Sequence, residues 1–364
     1  MADTGGDMVQ QAVTSAVAVL GTVTDRDWRG VDAGRTAWSC RRTAEHVASC
    51  LLAYAGQLAG RAQDAYVPFE ITLGGDGEDG LGPVGNDGVL HVLETTGALL
   101  TAAIRTTPRE VRAFHPYPFR SAGREGFAAM GVAEVLLHTH DIAEGLGLAY
   151  EPPAGLCAYV LGTIFPHVQP AADPWRTLLW ATGRGDLPGR APVADWRWCN
   201  NLVIPAARLT LEGVTPRAAA DLATGGDGGF DWVGGGPFEG TREAAGMTAK
   251  AYESGVHRPE FGLFVLVRHE DGRAIGGMGF HGAPGEDARA EIGYDLTEPA
   301  RGHGYATEAL RALADRALDR EDVRSLFATV EKGNVSSQRV LERAGFVRVS
   351  EGGDEQFAYE LRRP

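Results

Sequence analysis

An arginine and two glycines stand just before a helix-forming segment, in the stretch EPARGHGYATEAL at residues 298–310. The N-terminus of a helix leaves about four backbone N–H groups without partners and carries roughly half a positive charge. Gly302 and Gly304 would let an anion approach that backbone, and the Arg301 guanidinium is suited to phosphate oxygens. The pattern therefore predicts a binding site for a diphosphate group, although a glycine-rich turn before a helix is also common as a plain turn.

A glutamate and a histidine form a second candidate site in the stretch AEVLLHTHDIAEG. Glu134 and His138 are four residues apart, so they lie on one face of a predicted helix over 125–145. His46 lies on another predicted helix, and the three side chains could meet if the two helices are neighbours. Two imidazoles and a carboxylate with open positions are typical of a catalytic zinc or similar divalent site, whereas His140 points elsewhere and is the weaker candidate. The same Glu/His spacing also occurs in exposed ion pairs on helix surfaces.

The elements that would position these residues differ between the two halves of the chain. In the first half, apolar residues recur at helical spacing, and four long helices with connecting loops favour an up-down bundle. The predicted helices cover residues 8–22, 43–60, 86–105, 125–145 and 154–166, with Thr43 as a candidate N-cap of the second. We therefore expect a helical first domain over residues 1–200.

In the second half, strand and helix patterns alternate. Two apolar runs joined by Glu-Asp-Gly predict a β-hairpin within 261–282, and ARAEIGYDL predicts a strand directly before the anion-binding turn. A helix over about 304–319, a short helix and further strands follow. The order predicts a mixed α/β domain over 206–364, with variable loops over Asp231–Tyr252.

Composition and charge exclude several classes of protein. At 364 residues, with 44% hydrophobic and 23% charged residues, the chain has the composition of a soluble protein with two domains. Its net charge of −14 argues against non-specific binding to nucleic acid or anionic membranes. The N-terminal residues lack the pattern of a signal peptide, and there is no apolar run of about 18 residues for a membrane span. The four scattered cysteines indicate reduced thiols in a cytoplasmic protein.

The predicted anion-binding turn and its surroundings resemble the GNAT acyltransferase superfamily. Arg301-x-x-Gly304-x-Ala306 is similar to the phosphate-binding signature of that superfamily. The strand AEIGYDL and the segment NVSSQRVLERAGF at 334–346 resemble the branch that includes ribosomal-protein N-terminal alanine acetyltransferases. The resemblance covers about 206–364. It implies a GNAT fold with a splayed central sheet and acetyl-CoA, or another acyl-CoA, as the acyl donor.

The same resemblance implies which residues hold the cofactor. The pantetheine arm would pair with the strand edge at 292–296, and the diphosphate would lie on the turn that follows. An asparagine at the start of the later short helix matches a cofactor-binding asparagine of the family. The implied cofactor-binding residues are Ile292, Tyr294, Leu296, Arg301, Gly302, His303, Gly304, Tyr305, Ala306 and Asn334.

Catalytic candidates also follow from the resemblance. The acceptor amine must lose a proton, and Glu291 matches the glutamate that serves as base in several relatives. Ser337 falls where some relatives place the general acid for the leaving thiolate, and Tyr294 or Tyr305 could be the acid instead. The alternatives are a solvated strand carboxylate for Glu291 and a helix-start hydroxyl for Ser337.

The first half resembles the DinB-like N-terminal domain of mycothiol-dependent maleylpyruvate isomerases, a four-helix bundle. The resemblance rests on Trp38-x7-His46, on the run E-x-x-x-H-x-x-D and on the later ATGRGDLPG and WRW, and it spans about 8–200. The metal positions of that family are filled here by His46, Glu134 and His138. The resemblance implies zinc or another divalent metal that activates a thiol.

Four functions remain open at this point. The first is an acetyl-CoA-dependent N-acyltransferase acting on a small-molecule amine, such as a secondary metabolite or antibiotic, or on a peptide, with the helical domain shaping the acceptor pocket. The second is a metal- and thiol-dependent transferase or isomerase, and the third is a GNAT fold that takes an aminoacyl group from charged tRNA. The fourth is a non-catalytic sensor of acyl-CoA. The sequence determines neither the acceptor nor the oligomeric state.

Overall fold

The computed structural model describes residues 5–73, 84–116, 118–351 and 355–363. The chain divides into two compact units, Met1–Phe165 with Pro170–Asn200 and Pro166–Gln169 with Asn201–Pro364. No sequence pattern indicates that the short segment Pro166–Gln169 belongs to the second unit. Within the described residues, no helix is both long enough and apolar enough to span a membrane.

Helices dominate the first unit. They are α1 (Gly5–Leu20), α2 (Cys40–Gly60), α3 (Asn86–Thr106), α4 (Arg124–Gly145), α5 (Ala154–Ile164) and α6 (Pro174–Ala181), and a small hairpin of β1 (Arg112–Phe114) and β2 (Ser121–Gly123) precedes α4. Helices α1 and α2 each pack against both α3 and α4. The four long helices that periodicity predicts therefore form one packed group, and their DinB-like architecture stays a prediction.

Helix α2 begins before the predicted cap. Ser39 is the N-cap, because its hydroxyl oxygen accepts the N–H of Arg42 at 3.3 Å. Thr43 lies in the first turn instead, where its hydroxyl donates to the Ser39 carbonyl at 3.0 Å. The prediction for Thr43 was wrong because a serine and a threonine at this spacing both satisfy the cap pattern, and only the backbone conformation distinguishes them.

Helix α4 is the central helix of the first unit. Every residue from Gly126 to Leu137 is buried, since α4 contacts α1, α2, α3 and α5. A helix that is apolar around its whole circumference is one that neighbouring helices surround. Glu134 is the one charged residue in this buried stretch, and burying a carboxylate requires partners.

The second unit is built on an eight-stranded sheet of order β3-β4-β5-β6-β7-β8-β10-β9. Its elements are β3 (Val203–Pro205), β4 (Leu209–Gly213), α7 (Pro216–Ala223), α8 (Glu239–Glu253), β5 (Leu263–Arg268), β6 (Ala274–Phe280), β7 (Arg289–Leu296), α9 (Tyr305–Leu318), β8 (Ser325–Glu331), α10 (Val335–Arg343), β9 (Val347–Glu351) and β10 (Gln356–Arg362). All neighbouring strands run antiparallel except β7 and β8, which are parallel. This mixed α/β architecture is the one predicted for the second half.

Helix α8 corrects the prediction of variable loops over Asp231–Tyr252. Its buried face consists of Thr241, Ala245 and Thr248, which are small or polar and give a weak hydrophobic pattern. The helix start is held by Asp295 of β7, whose carboxylate accepts the backbone N–H of Thr241 at 2.8 Å. The sequence pattern missed this helix because a tertiary contact, rather than local apolar periodicity, stabilises it.

The parallel strands β7 and β8 pair only at their beginnings. The paired positions run from Arg289 with Ser325 to Glu291 with Phe327. Beyond Glu291, β7 continues to pair with β6 on one side, while β8 pairs with β10 on its far side. Among the pairings described, the edge of β7 that faces β8 is therefore open from Ile292 to Leu296, as the GNAT resemblance implies.

Candidate functional site

The turn between β7 and α9 presents a series of available backbone N–H groups. The N–H of Glu308 is the first in α9 that bonds back, to the Gly304 carbonyl at 3.1 Å. The N–H groups of residues 302–307 make no hydrogen bond to any residue that the structure describes. Gly302 and Gly304 have φ of +80° and +81°, and a Cβ at Gly302 would meet nothing within 4 Å. The turn is therefore an open concave surface of donors, which is the arrangement that binds phosphate.

Arg301 lies exposed beside this turn. Its Nε donates to the carbonyl of Leu296 at 3.1 Å, and its guanidinium lies 5.5 Å from the ring centre of Phe238. These contacts fix the guanidinium at the end of the open edge of β7. Its terminal nitrogens have no hydrogen-bond partner within the described parts of the chain, so they remain available to an anion.

Arg208 is a second arginine at the turn, and it has no signal in the sequence. It donates from Nη1 to the His303 carbonyl at 3.1 Å and from Nε to Glu308 at 2.8 Å. Its guanidinium also lies 4.8 Å from the ring centre of Tyr305. Because Arg208 stands at the start of β4, far from the turn in sequence, only the folded sheet brings it to this place.

Tyr294 and Ser337 lie together at the open edge of β7. The Tyr294 hydroxyl is 2.8 Å from Ser337 Oγ and donates to the Ser337 carbonyl at 3.1 Å. Burial raises the pKa of Tyr294 to about 12, against the opposing effect of its bond to Ser337. The Tyr294 hydroxyl therefore stays protonated at neutral pH and has a proton to donate.

Tyr305 has a different environment. It is buried at the start of α9, beneath Arg208, and stacks with His303 at 5.9 Å between ring centres. Among the described residues, no contact joins it to Glu291 or Ser337. Its assignment as a general acid stays a prediction, whereas its place at the turn agrees with the cofactor-binding role.

Asn334 is the N-cap of α10. Its side-chain oxygen accepts the N–H of Ser337 at 3.1 Å and the hydroxyl of Ser336 at 2.9 Å. The oxygen is thus occupied by the helix start. Its Nδ2 makes no hydrogen bond to a described residue, so the amide group can still donate to a ligand.

Glu291 is the last residue of β7 that pairs with β8, and on the β6 side it lies opposite His281. The N–H of His281 bonds to the Glu291 carbonyl at 3.0 Å, and His281 Nδ1 lies 3.1 Å from Glu291 Oε2. The Thr329 hydroxyl donates to the other carboxylate oxygen at 3.2 Å. These contacts position the Glu291 carboxylate, which is 26% exposed. Its role as the base stays a prediction. His281 was not predicted as a site residue, because its place opposite Glu291 depends on the pairing of β6 with β7.

A cavity of about 170 Å³ lies on this face of β6 and β7, beneath α8. Gly277 and Gly279 of β6 and Gly293 of β7 are among its lining residues. Glu243, Ala244 and Met247 of α8 lie on the other side, and His281 and Tyr294 line it as well. Its other lining residues are Gly240, Thr241, Leu263, Met278, Phe280 and Asp295. An acceptor bound there would lie beside the Glu291–His281 pair.

The three predicted metal ligands meet in the first unit. Glu134 Oε2 lies 3.2 Å from His138 Nε2 and 3.6 Å from His46 Nε2. One ligand atom from each of the three lies within 4.8 Å of the others. His140 packs edge-on against Trp175 instead, at 5.5 Å between ring centres. The weaker candidate is thus outside the cluster.

Asp141 and Arg184 hold His138 in place. His138 Nδ1 lies 2.9 Å from Asp141, which leaves Nε2 directed at Glu134. Arg184 donates to both Asp141 oxygens at 3.0 and 2.9 Å. A carboxylate behind a histidine is the usual way in which proteins orient a metal ligand. Both residues stand in motifs of the DinB-like resemblance, Asp141 in E-x-x-x-H-x-x-D and Arg184 in ATGRGDLPG, but neither was given a role there.

Two further side chains of α2 reach this cluster. Cys50 Sγ lies 3.4 Å from His46 Nε2, and the Tyr54 hydroxyl donates to Glu134 at 3.2 Å. Burial and the Glu134 carboxylate raise the pKa of the Cys50 thiol well above its ordinary value. The cluster therefore contains one thiol as well as nitrogen and oxygen donors.

A proton on His138 can balance the negative charge of the carboxylates in this cluster. Burial disfavours the charged carboxylate, but hydrogen bonds from His138 and His46 hold the pKa of Glu134 well below its ordinary value. Burial also opposes a charge on His138, yet its bonds to Asp141 and Glu134 raise its pKa to about 9. At neutral pH without metal, His138 is an imidazolium between two carboxylates.

Part of the second unit is similar to known proteins. Residues 208–347 match the model of the acetyltransferase (GNAT) domain. The chain is 37% identical over 87 residues to the uncharacterized N-acetyltransferase YjdG of Bacillus subtilis (strain 168), over 24% of this chain and 52% of the relative. It is 35% identical over 83 residues to the uncharacterized N-acetyltransferase p20 of Bacillus licheniformis, over 23% and 47% of the two chains. The chain thus spans about half the length of the curated relatives it matches.

Solved structures are also similar to part of this chain. An acetyltransferase from Agrobacterium tumefaciens str. C58 is 25% identical, with a TM-score of 0.33, over 48% of this chain and 99% of the other. The ribosomal-protein-S5-alanine acetyltransferase from Vibrio fischeri is 12% identical, with a TM-score of 0.34, over 45% and 97%. The curated relatives are themselves named N-acetyltransferases, in agreement with the family match. Residues 208–347 of this chain are thus similar to the acetyltransferase (GNAT) domain.

Proposed function

We propose that the protein transfers an acyl group from acetyl-CoA, or another acyl-CoA, to an amine of a small molecule or peptide. The observation that carries this proposal is the row of unpartnered N–H groups at 302–307, directly after the open edge of β7. The GNAT family uses acetyl-CoA. Neither the family match nor the relatives identify the acceptor.

The residues present fit such a cofactor. The open backbone of 292–296 supports pairing with the amide groups of a pantetheine arm, and the Gly302 and Gly304 turn accommodates a diphosphate. Arg301 and Asn334 Nδ2 add donors on either side. When bound, the thioester supplies the acyl group and a thiolate leaving group.

The side chains beside the open edge provide the proton transfers in this proposal. The Glu291–His281 pair is the basic group that accepts the proton of the amine. The Tyr294 hydroxyl, hydrogen bonded to Ser337, is the acid that returns a proton to the leaving sulfur. Glu243 and the other residues of the cavity orient the acceptor.

A screen of acceptors tests this function. Small amines, peptides and charged tRNA are each mixed with the full chain and acetyl-CoA, and release of free thiol is followed. We expect amine-dependent thiol release. Binding of acetyl-CoA with no release for any acceptor would favour the sensor instead, and aminoacyl transfer with a steep salt dependence would favour the tRNA-dependent enzyme.

Removal of the Arg301 side chain tests the turn more locally. We expect Arg301→Ala to weaken CoA binding by about 1–3 kcal/mol, because one charged hydrogen bond is lost. Calorimetric titration with CoA measures the change. Arg316→Ala is the matched control, since Arg316 is also exposed but lies in the last turn of α9. Equal affinities for Arg301→Ala and the wild type would contradict a phosphate-binding role.

The convergence of His46, Glu134 and His138 supports a second candidate function, a divalent metal site in the first unit. The donors and the orienting Asp141 suit zinc, which accepts nitrogen, oxygen and sulfur ligands. Together with the DinB-like resemblance, this site would serve a metal- and thiol-dependent transferase or isomerase. The four-helix DinB-like assignment and the metal are both parts of this proposal.

We expect zinc binding to strengthen with pH. The pKa of His138 is about 9, so its proton must leave before the nitrogen can bind metal. Each pH unit below that value should weaken the apparent affinity by about tenfold. Competition with a zinc chelator, repeated in steps of about one pH unit between pH 6 and pH 9, measures this dependence. Glu134→Gln should abolish zinc binding, whereas His91→Ala, which removes an exposed histidine, should leave zinc binding unchanged. If the wild-type protein bound no zinc ion at the highest pH, the site would be excluded.

A further inference from the structure

His281 lines the cavity and contacts Glu291, the residue of β7 directly before the open edge. It follows β6 directly, lines the cavity, and its side chain is 47% exposed. The position is one where an acceptor amine would approach the acyl carbon in the proposed acyltransferase. Glu291, by contrast, is 26% exposed and is not among the residues that line the cavity.

The hydrogen bonds of the pair determine which nitrogen of His281 is free. His281 Nδ1 lies 3.1 Å from Glu291 Oε2, so the proton of the neutral imidazole belongs on Nδ1. Nε2 is then an acceptor with a free lone pair, and it has no hydrogen-bond partner among the described residues. Both carboxylate oxygens of Glu291 already accept bonds, one from His281 and one from Thr329.

Gly293 supports the same assignment. A Cβ at this residue would lie 2.8 Å from His281 Nε2, closer than such atoms approach one another. Gly293 is a β7 residue outside the set of positive-φ glycines, so its backbone conformation does not demand glycine. The atom that such a Cβ would meet is Nε2 of the imidazole, which therefore reaches the first residues of the open edge.

We propose that His281 Nε2 takes the proton from the acceptor amine and that Glu291 is a positioning residue for His281. This inference rests on the proposed acyltransferase function. The amine nitrogen forms its bond to the acyl carbon, and its proton moves to Nε2. As the C–S bond breaks, its electron pair stays on sulfur, which takes a proton from the Tyr294 hydroxyl. The resulting imidazolium is stabilised by the Glu291 carboxylate, and solvent later restores both side chains.

Chemical rescue of a histidine variant tests this proposal. The full chain carrying His281→Ala is assayed with acetyl-CoA and the best amine from the acceptor screen. We expect kcat to fall by about 100-fold or more, with CoA affinity changed by less than about twofold. Added imidazole should restore part of the rate, since it can occupy the vacated space and accept the proton. The control His269→Ala removes an exposed histidine of the β5–β6 turn and should keep full activity.

Further variants separate the roles of the pair. Glu291→Gln should also lower kcat, by about tenfold or more, without any rescue by imidazole. His281→Gln keeps most of the side-chain volume and should be as inactive as His281→Ala. Equal loss of activity in the two variants would show that the loss does not come from a cavity that disturbs folding. An active His281→Ala, or an inactive one that binds CoA normally and is not rescued by imidazole, would overturn the proposal and leave Glu291 as the base. Wild-type protein that releases no thiol with any amine would instead overturn the proposed function itself.

Discussion

Replacement of Gly304 by glutamate is expected to abolish measurable CoA binding. Gly304 is the residue before α9, with a φ of +81°, and a side chain there would extend from the turn that carries the open N–H groups. A carboxylate would compete for those donors and repel a diphosphate, and a non-glycine residue in this conformation costs about 1–2 kcal/mol. We expect the dissociation constant to rise by about 100-fold or more in calorimetric titrations.

Two controls separate charge from backbone strain. Gly304→Ala adds the strain without the carboxylate, so its loss of affinity should be smaller. Gly189→Glu places the same side chain on a glycine of similar φ, +78°, in the first unit, where a Cβ has open space. It should bind CoA as the wild type does. A Gly304→Glu protein with wild-type affinity would show that the diphosphate lies elsewhere.

Removal of the Asp141 carboxylate should cost the first unit about 3–5 kcal/mol of its free energy of unfolding. Asp141 is 2% exposed and pairs with both the Arg184 guanidinium and His138. In Asp141→Ala, the Arg184 charge would remain in the same surroundings without its partner. Urea unfolding followed by tryptophan fluorescence measures the loss. The signal reports mainly on the first unit, because every tryptophan of the sequence except Trp232 lies there.

The exposed pair of Asp7 and Arg105 provides the control. Its side chains are 43% and 48% exposed, so solvent screens their attraction. Asp7→Ala should therefore change the free energy of unfolding by less than about 1 kcal/mol. If Asp141→Ala were as mild, Asp141 could not be the residue that fixes Arg184 and His138.

Local signals predicted much of the turn for which phosphate binding is proposed. Gly302, Gly304 and Arg301 act through backbone conformation and nearby charge, both of which depend on residues close in sequence. Arg208 contributes to the same turn from the start of β4, and nothing near it in sequence indicates that role. A contact between distant segments depends on the whole sheet, so local patterns do not contain it.

The same distinction applies to the proposed base and to the cluster of His46, Glu134 and His138. Glu291 was found through a family pattern, but His281 becomes meaningful only in the register that pairs it with Glu291. Glu134 and His138 share a helix face, which spacing predicts, whereas their meeting with His46 required α2 and α4 to be neighbours. The DinB-like identity of that bundle remains a prediction.

Comparison of CoA with pantetheine tests the central claim most directly. Both compounds carry the arm that would pair with β7, but only CoA carries the diphosphate that would contact the N–H groups of residues 302–307. Calorimetric titration of the full chain should show CoA binding at least about 100-fold more tightly than pantetheine. No heat of binding with CoA, or equal affinities for the two compounds, would contradict the assignment of this turn.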